Sequence, residues 1–228
     1  MSSLRVASYN LRGLKDDAAA AAAVVRALRP DVLLLQEVPR YPGSSYAIAA
    51  LARDSGMLWS GRTRAVSGTS LMSSLRVSTT DARDRRLAVG LRENPRSYTL
   101  ARVRVPAGPM VTVASVHLPL KEEQRLAHAR TVLTEIAHHP DIPRDEPLVV
   151  GGDLNEGPDG AAWAVLGGVA QEVTGQDPTF PAHHPHRHID AIFARGHTDA
   201  NPGDRRLLEE VPVTDASDHL PVWVDLQF

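Results

Sequence analysis

Apolar residues in this chain fall into short runs, and the spacing inside each run separates strands from helices. Leu4 to Tyr9 reads as a strand, and Val32 to Leu35 is a continuous apolar run of the kind a strand buried on both faces requires. Between them, Asp16 to Leu28 is alanine-rich, with Asp16 and Asp17 at its front and Arg26 near its end, the charge order that suits a helix dipole. Arg29-Pro30 then stops the helix, so the chain opens as strand, helix, strand. The turn residues Tyr41-Pro42-Gly43 precede a second predicted helix over Ser44 to Arg53.

From Met57 to Val116 the pattern becomes one of successive strands: Ser70 to Val77, Arg86 to Leu91, Leu100 to Val105 and Val111 to Val116. Pro106-Ala107-Gly108-Pro109 joins the last two as a hairpin, and the alternation of Arg102 and Arg104 with Val103 and Val105 leaves an arginine face for solvent or a partner. Lys121 to His138 places Leu126, Ala129, Val132, Leu133 and Ile136 at helical spacing, with Pro140 ending the helix. Later strands are predicted at Leu148 to Val150, Ile189 to Phe193, Leu207 to Val211 and Pro221 to Leu226, and a short helix at Asp159 to Leu166. Pro178 to His188 is a polar, proline-broken loop. No repeat of fixed period and no linker interrupts the series, so residues 1–228 are expected to form a single domain of mixed α/β or α+β class.

Composition narrows the function classes. Hydrophobic residues make up 43% and charged residues 23%, ordinary globular proportions that exclude disorder as the default. The net charge of −2 supplies no global basic field for tight, nonspecific nucleic-acid binding, although bound cations and local arginines can reverse the potential in a cleft. There is no cysteine, which excludes disulfides, zinc–thiolate sites and a cysteine nucleophile. No apolar run reaches the roughly 18 residues needed to span a bilayer, and the N-terminus runs straight into a strand without a leader pattern. A cytoplasmic, monomeric protein with no membrane partner is the expectation.

The chemistry-bearing residues sit at the margins of these strands. Asn10 closes the first strand, Glu37 follows the second, His117 ends Val111 to Val116, and Asp153 follows Leu148 to Val150. Asp190 opens Ala191-Ile192-Phe193, and Ser217-Asp218-His219 precedes the last strand. Polar groups repeatedly placed at strand ends point to one site where those ends converge. Carboxylates, amides and histidines form the donor set of a hard divalent cation and of acid–base chemistry. The segments SYNLRGL, LLLQEV, ASVHLPL, VVGGDLNEGPD, RHIDAIF and SDHLPVWVDL, taken in this order, resemble those of the endonuclease/exonuclease/phosphatase superfamily, whose members are DNase I-like.

That resemblance implies a four-layer sandwich, two packed mixed β-sheets flanked by helices, and a site built from named residues. By resemblance, Glu37 coordinates Mg²⁺ or Mn²⁺, with Asn10 and Asp218 on the metal side. Asp153 orients or deprotonates the attacking water, Asn155 donates to phosphoryl oxygens, Asp190 orients His219, and His219 serves as general base or as an electrostatic clamp. His117 contacts phosphate, and Asn10 shares substrate binding. In DNase I-like members the equivalent histidine pairs with a glutamate from an earlier strand, but Met57 to Thr80 contains no aspartate or glutamate here, so His117 is expected to donate a hydrogen bond. Strand alternation would put Asp153 and Asn155 on one side and Leu154 on the other.

The reaction expected is in-line, metal-assisted hydrolysis of a phosphoester, most simply a nuclease or other phosphodiesterase. A small-metabolite phosphodiesterase or phosphatase is the alternative enzyme, favoured by the acidic balance and by aromatics of only 4%. A degenerate phosphate- or nucleic-acid-binding domain is the non-enzyme alternative. His183, His184, His186 and His188 crowd the loop before Asp190; solvated loop histidines and a substrate-contacting rim, shared with Arg187 and Phe180, are the competing readings. Arg62 and Arg64 sit in a loop that could likewise face substrate.

Overall fold

The computed structural model describes residues 2–59, 68–90 and 95–228. Among them, twelve strands and five α-helices follow in the order β1 (Ser3–Asn10), α1 (Ala18–Leu28), β2 (Val32–Gln36), α2 (Ser44–Ser55), β3 (Leu58–Trp59), β4 (Thr69–Ser73), β5 (Ser78–Leu87), β6 (Arg96–Arg104) and β7 (Met110–His117). The remainder are α3 (Glu122–Ala137), β8 (Leu148–Asp153), α4 (Ala161–Gly167), β9 (Gln171–Glu172), β10 (Asp190–Arg195), β11 (Asp199–Pro202), α5 (Val213–Ala216) and β12 (Val222–Gln227). Two six-stranded sheets result, ordered β11-β12-β1-β2-β4-β3 and β5-β6-β7-β8-β10-β9. Each is antiparallel except for one central parallel pair, β1 with β2 and β7 with β8.

Strand alternation sorts the apolar residues into three cores and so makes four layers. Leu4, Val6, Val32 and Leu34 point between the sheets, where they meet Val111, Val113, Val149 and Ile192 of the other sheet. The alternate residues Ala7, Tyr9, Leu33 and Leu35 face outward and are covered by Val24, Val25 and Leu28 of α1 and by Ile48 and Leu51 of α2. On the far side, Ala114, Val116, Val150 and Phe193 face Ala129, Val132 and Ile136 of α3 and Trp163 of α4. A one-residue slip of β2 would keep leucines on both buried faces but turn Gln36 away from Ser115, so that polar contact fixes the register. α1 begins where the Asp17 carboxylate accepts from the backbone N–H groups of Ala19 and Ala20.

Several predicted elements differ in the structure. Leu207 to Val211 is not a strand: Arg205–Leu208 forms a 3-10 turn that carries Leu208 into the layer beneath α1. Ser70 to Val77 divides into β4 and a turn, and the next strand runs from Ser78 to Leu87 instead of from Arg86 to Leu91. Leu91 lies outside the described residues, as do Arg62 and Arg64. β5 is an edge strand with only Ala82 and Leu87 buried, so it carries no hydropathy signal. Arg102 does not form a free arginine face; its Nε donates to Glu146 at 3.0 Å, and Glu146 also accepts from Thr112 Oγ1 at 2.6 Å. No helix among the described residues is long and apolar enough to cross a membrane.

Candidate active site

Strand register brings the polar strand ends to one edge of the sandwich. In the first sheet Asn10 pairs with Gln36, so Asn10 and Glu37 leave the same end of the parallel β1–β2 pair. In the second sheet His117 pairs with Asp153 across parallel β7–β8, and Asp190, at the start of antiparallel β10, also pairs with Asp153. β12 runs antiparallel to β1, which places the preceding Ser217-Asp218-His219 at that edge. Ser217 Oγ fixes it there by donating to the Asn10 carbonyl at 2.7 Å.

Two glycines permit close approaches here, Gly152 within the second sheet and Gly151 between the sheets. A Cβ at Gly152 would lie 1.8 Å from the Val116 carbonyl oxygen, and one at Gly151 would lie 3.0 Å from a methyl of Leu34 in the facing sheet. Beneath the site a buried polar bridge joins the sheets. Ser8 Oγ donates to Gln36 Oε1, Gln36 Nε2 donates to Ser115 Oγ at 3.1 Å, and Ser115 Oγ donates to the Leu35 carbonyl at 2.9 Å. Every member has a partner, so the bridge fixes the spacing of the sheets instead of weakening the core.

The side chains then interlock. Asn10 Nδ2 donates to Asp153 Oδ2 at 3.0 Å and to Glu37 Oε1 at 3.3 Å, while its Oδ1 accepts from the Arg12 N–H at 3.0 Å. Asn10 therefore points its amide nitrogen, not its oxygen, at the carboxylates. Donor atoms of Glu37, His117 and Asp153 lie within 4.8 Å of one another, as do those of Asp153, Asp190 and His219, so Asp153 belongs to both groupings. Glu37 has a left-handed backbone (φ 47°), a conformation costly for a non-glycine residue, and aims a 39% exposed carboxylate outward, whereas Asp153 is 2% exposed. Oxygen donors held by one amide beside open solvent fit a hard divalent cation with several water ligands.

Asp218 joins neither grouping among the described residues; its carboxylate faces Arg12 Nε at 3.3 Å. Asn155 also departs from the expected alternation. β8 ends at Asp153, and Asn155 takes φ 54°, its N–H donating to Asp153 Oδ1 at 2.9 Å and its Nδ2 to the Leu118 carbonyl at 2.8 Å. It nevertheless lines the cleft that begins at Glu37 and His117.

The two histidines occupy opposite electrostatic environments. His219 Nδ1 lies 2.9 and 3.1 Å from the two Asp190 oxygens, and its Nε2 is 3.8 Å from Asp153. Burial works against the charged ring, but Asp190 and then Asp153 outweigh it and push the pKa up to about 9. His117 is held well below the usual value, first by burial and then by the Arg96 guanidinium. Arg96 Nη1 lies 3.0 Å from its Nδ1 and 3.2 Å from its Nε2, and Nε2 is 3.5 Å from Asp153 Oδ2. Asp153 is itself raised to about 7, by burial first and by Asp190 second.

Sequence reasoning missed Thr179, Arg96 and Arg40. Thr179 Oγ1 donates to Asp190 Oδ2 at 2.5 Å, fixing the carboxylate that holds His219, yet a threonine inside a proline-broken loop carries no signature. Phe180, singled out only as a rim residue, packs on His219 with ring centroids 4.8 Å apart, and the Arg187 guanidinium lies 5.6 Å from the Phe180 centroid. Of the loop histidines, His183, His184 and His186 are exposed, whereas His188 packs edge-on against Trp163; none joins either grouping. Glu156 is taken up by structure, binding Arg125 at 2.7 Å and accepting from the Trp163 N–H at the start of α4.

Comparison with known proteins agrees with this architecture. The structure superposes on an endonuclease/exonuclease/phosphatase from Bacteroides vulgatus with a TM-score of 0.76 at 20% identity, covering 100% of both chains. The endonuclease/exonuclease/phosphatase of Beutenbergia cavernae gives 0.75 at 23% identity, over 100% of this chain and 72% of that one. ANGEL2, described as a 2′,3′-cyclic phosphatase, gives 0.72 at 15% identity, over 99% and 95%. No curated protein gives a significant match. The sequence profile of the Endonuclease/Exonuclease/phosphatase family, whose members hydrolyse phosphoesters and typically depend on a divalent metal, matches residues 7–219. The chain belongs to that family.

Proposed function

We propose that the protein is a divalent-metal-dependent phosphodiesterase acting on nucleic acid or on a small phosphoester, by in-line attack of water. The observation that carries this reading is the shared position of Asp153, in contact on one side with Glu37 and His117 and on the other with Asp190 and His219. Glu37 would hold Mg²⁺ or Mn²⁺, which when bound would neutralise charge on the phosphoryl group.

The residues divide the remaining work by their environments. Asp153 is poised near neutral pH and takes the proton of the attacking water. His219, protonated at neutral pH and anchored by Asp190, clamps the phosphoryl oxygens, which favours the electrostatic role over that of base. His117, neutral and held beside Arg96, is placed to donate a ring N–H to the same group. Asn10 keeps the two carboxylates in register, and Asn155 lines the opening. Placing an acidic and a basic group in environments that drive their pKa values in this way is how a single site runs proton transfer near pH 7.

The test is hydrolysis of bis-p-nitrophenyl phosphate, supercoiled and single-stranded DNA, and RNA in Mg²⁺ or Mn²⁺, with Asp153→Asn as the blank. Metal-dependent turnover of any of these, lost in the variant, is the expected result. Turnover retained by Asp153→Asn, or none on any substrate, sinks the proposal.

A further inference from the structure

Beyond Glu37 the site opens into a cleft of about 410 Å³ that runs away from the Asp190–His219 pair, because its lining includes Glu37, His117 and Asn155 but not Asp153, Asp190 or His219. Its walls carry Lys15, Arg40 and Arg96, with the 53% exposed ring of Tyr41 at the rim. Neither arginine has a carboxylate hydrogen-bond or ion-pair partner among the described residues. Arg40 Nη1 donates to the Pro95 carbonyl at 3.2 Å, and Arg96 is turned to His117.

Two guanidinium groups lining one cleft, with Glu37 beside them but no direct ion pair, are held at a cost. Burial lowers the pKa of each and Arg96 is lowered further by Arg40, while Glu37 opposes this at both and Asp153 opposes it at Arg96. The backbone makes room for Arg40: Gly68, at φ 79°, lies so close that a Cβ would fall 1.9 Å from Arg40 Nη2. Arginine forks held in a cleft without a direct carboxylate partner are suited to bidentate capture of a phosphate oxygen pair.

We infer that Arg40 and Arg96 form a second anion subsite, so that the substrate carries a second phosphate beside the one that is hydrolysed. The inference rests on the phosphoester reading above and deepens it. A nucleic-acid strand and a small bisphosphate share this chemistry. With the scissile group at Asp153 and His219, the second phosphate lies past Glu37 against the arginines, and Lys15 adds a third positive charge at the mouth.

Binding tests this without requiring turnover. Calorimetric titration in Mg²⁺ compares thymidine 3′,5′-bisphosphate with thymidine 3′- and 5′-monophosphates. The bisphosphate is expected to bind about tenfold or more tightly than either monophosphate, the scale of one charge-assisted pair. Arg40→Gln and, separately, Arg96→Gln are expected to erase most of that difference, and the exposed Arg104→Gln to retain it. Equal binding by the wild-type protein, or a preference that survives both cleft variants, overturns the inference. A matching Arg40 dependence for binding an unphosphorylated oligothymidylate assigns the subsite to strand phosphates, and dependence confined to the bisphosphate assigns it to a small metabolite. Absence of hydrolysis on every substrate would count against the proposed function and leave the subsite standing, whereas equal binding would remove the subsite alone.

Discussion

Replacing Asp153 with asparagine should stabilise the metal-free protein at alkaline pH, although Asp153 is central to the proposed chemistry. The carboxylate is buried near Asp190, and raising its pKa from 3.8 to about 7 corresponds to about 4 kcal/mol of penalty on the charged form. Asparagine carries no charge, but it has one acceptor oxygen where Asp153 uses two, for Asn10 Nδ2 and the Asn155 N–H. One donor is left unmet at a cost of about 1–2 kcal/mol, so a net gain of about 2 kcal/mol remains above pH 7. Between the unfolded-chain value near 4 and about 7, the folded protein keeps a proton that the unfolded chain has released, so wild-type stability falls as pH rises through that window. Asp153→Asn removes the fall. His219, raised against its burial to about 9 by Asp190 and then by Asp153, loses its own contribution as pH rises from its unfolded value near 6.5 towards 9 in the wild type, and over a lower, narrower range in Asp153→Asn. Thermal melting in EDTA should therefore place the variant about 4–8 °C above wild type at pH 8.5 and at or below it at pH 5. A wild-type protein that is the more stable at pH 8.5, or a difference independent of pH, would refute this reading of the buried carboxylates.

Other perturbations separate the remaining groups. Asp190→Asn removes the main force raising His219, so its titration should move down from about 9 in histidine NMR, with kcat/KM falling about 10²-fold or more; an unmoved titration would detach Asp190 from that role. Arg96→Gln should raise the His117 pKa while leaving it below the ordinary value, because burial is the larger cause; no change in the His117 titration would contradict the assignment. Gly152→Ala forces a Cβ to 1.8 Å from the Val116 carbonyl and should cost about 3 kcal/mol or more by parting β7 from β8. Gly167→Ala meets nothing within 4 Å and should melt at or above the wild-type temperature; equal melting of the two variants would sink the close-approach argument.

Much of this fold was legible because its central strands are continuous apolar runs. Val32 to Leu35 is buried on both faces, Leu33 and Leu35 towards the helices and Val32 and Leu34 towards the other sheet, and the ends of such runs marked Asn10, Glu37, His117, Asp153 and Asp190. Edge strands were illegible for the converse reason: β5 buries little, and β3, β9 and β11 are two to four residues long. Leu207 to Val211 misled because its apolar residues serve a 3-10 turn beneath α1. The locations of site residues were readable, but their orientations depend on partners distant in sequence. Asn10 turns its nitrogen inward because the Arg12 N–H claims its oxygen, and Asp218 faces Arg12. Arg40, Arg96 and Thr179 acquire meaning only when the strands and the loop before β10 converge.

The central claim is that Glu37 and its neighbours make a cation-dependent phosphoester site. Hydrolysis of bis-p-nitrophenyl phosphate by wild type and Glu37→Gln, followed across a Mg²⁺ and Mn²⁺ titration from EDTA, tests it most directly. The account predicts no wild-type turnover in EDTA, recovery with added metal, and for Glu37→Gln a rate about 10²-fold lower with a weakened metal dependence. Turnover that persists in EDTA, or a Glu37→Gln protein with wild-type rate and metal response, would contradict it.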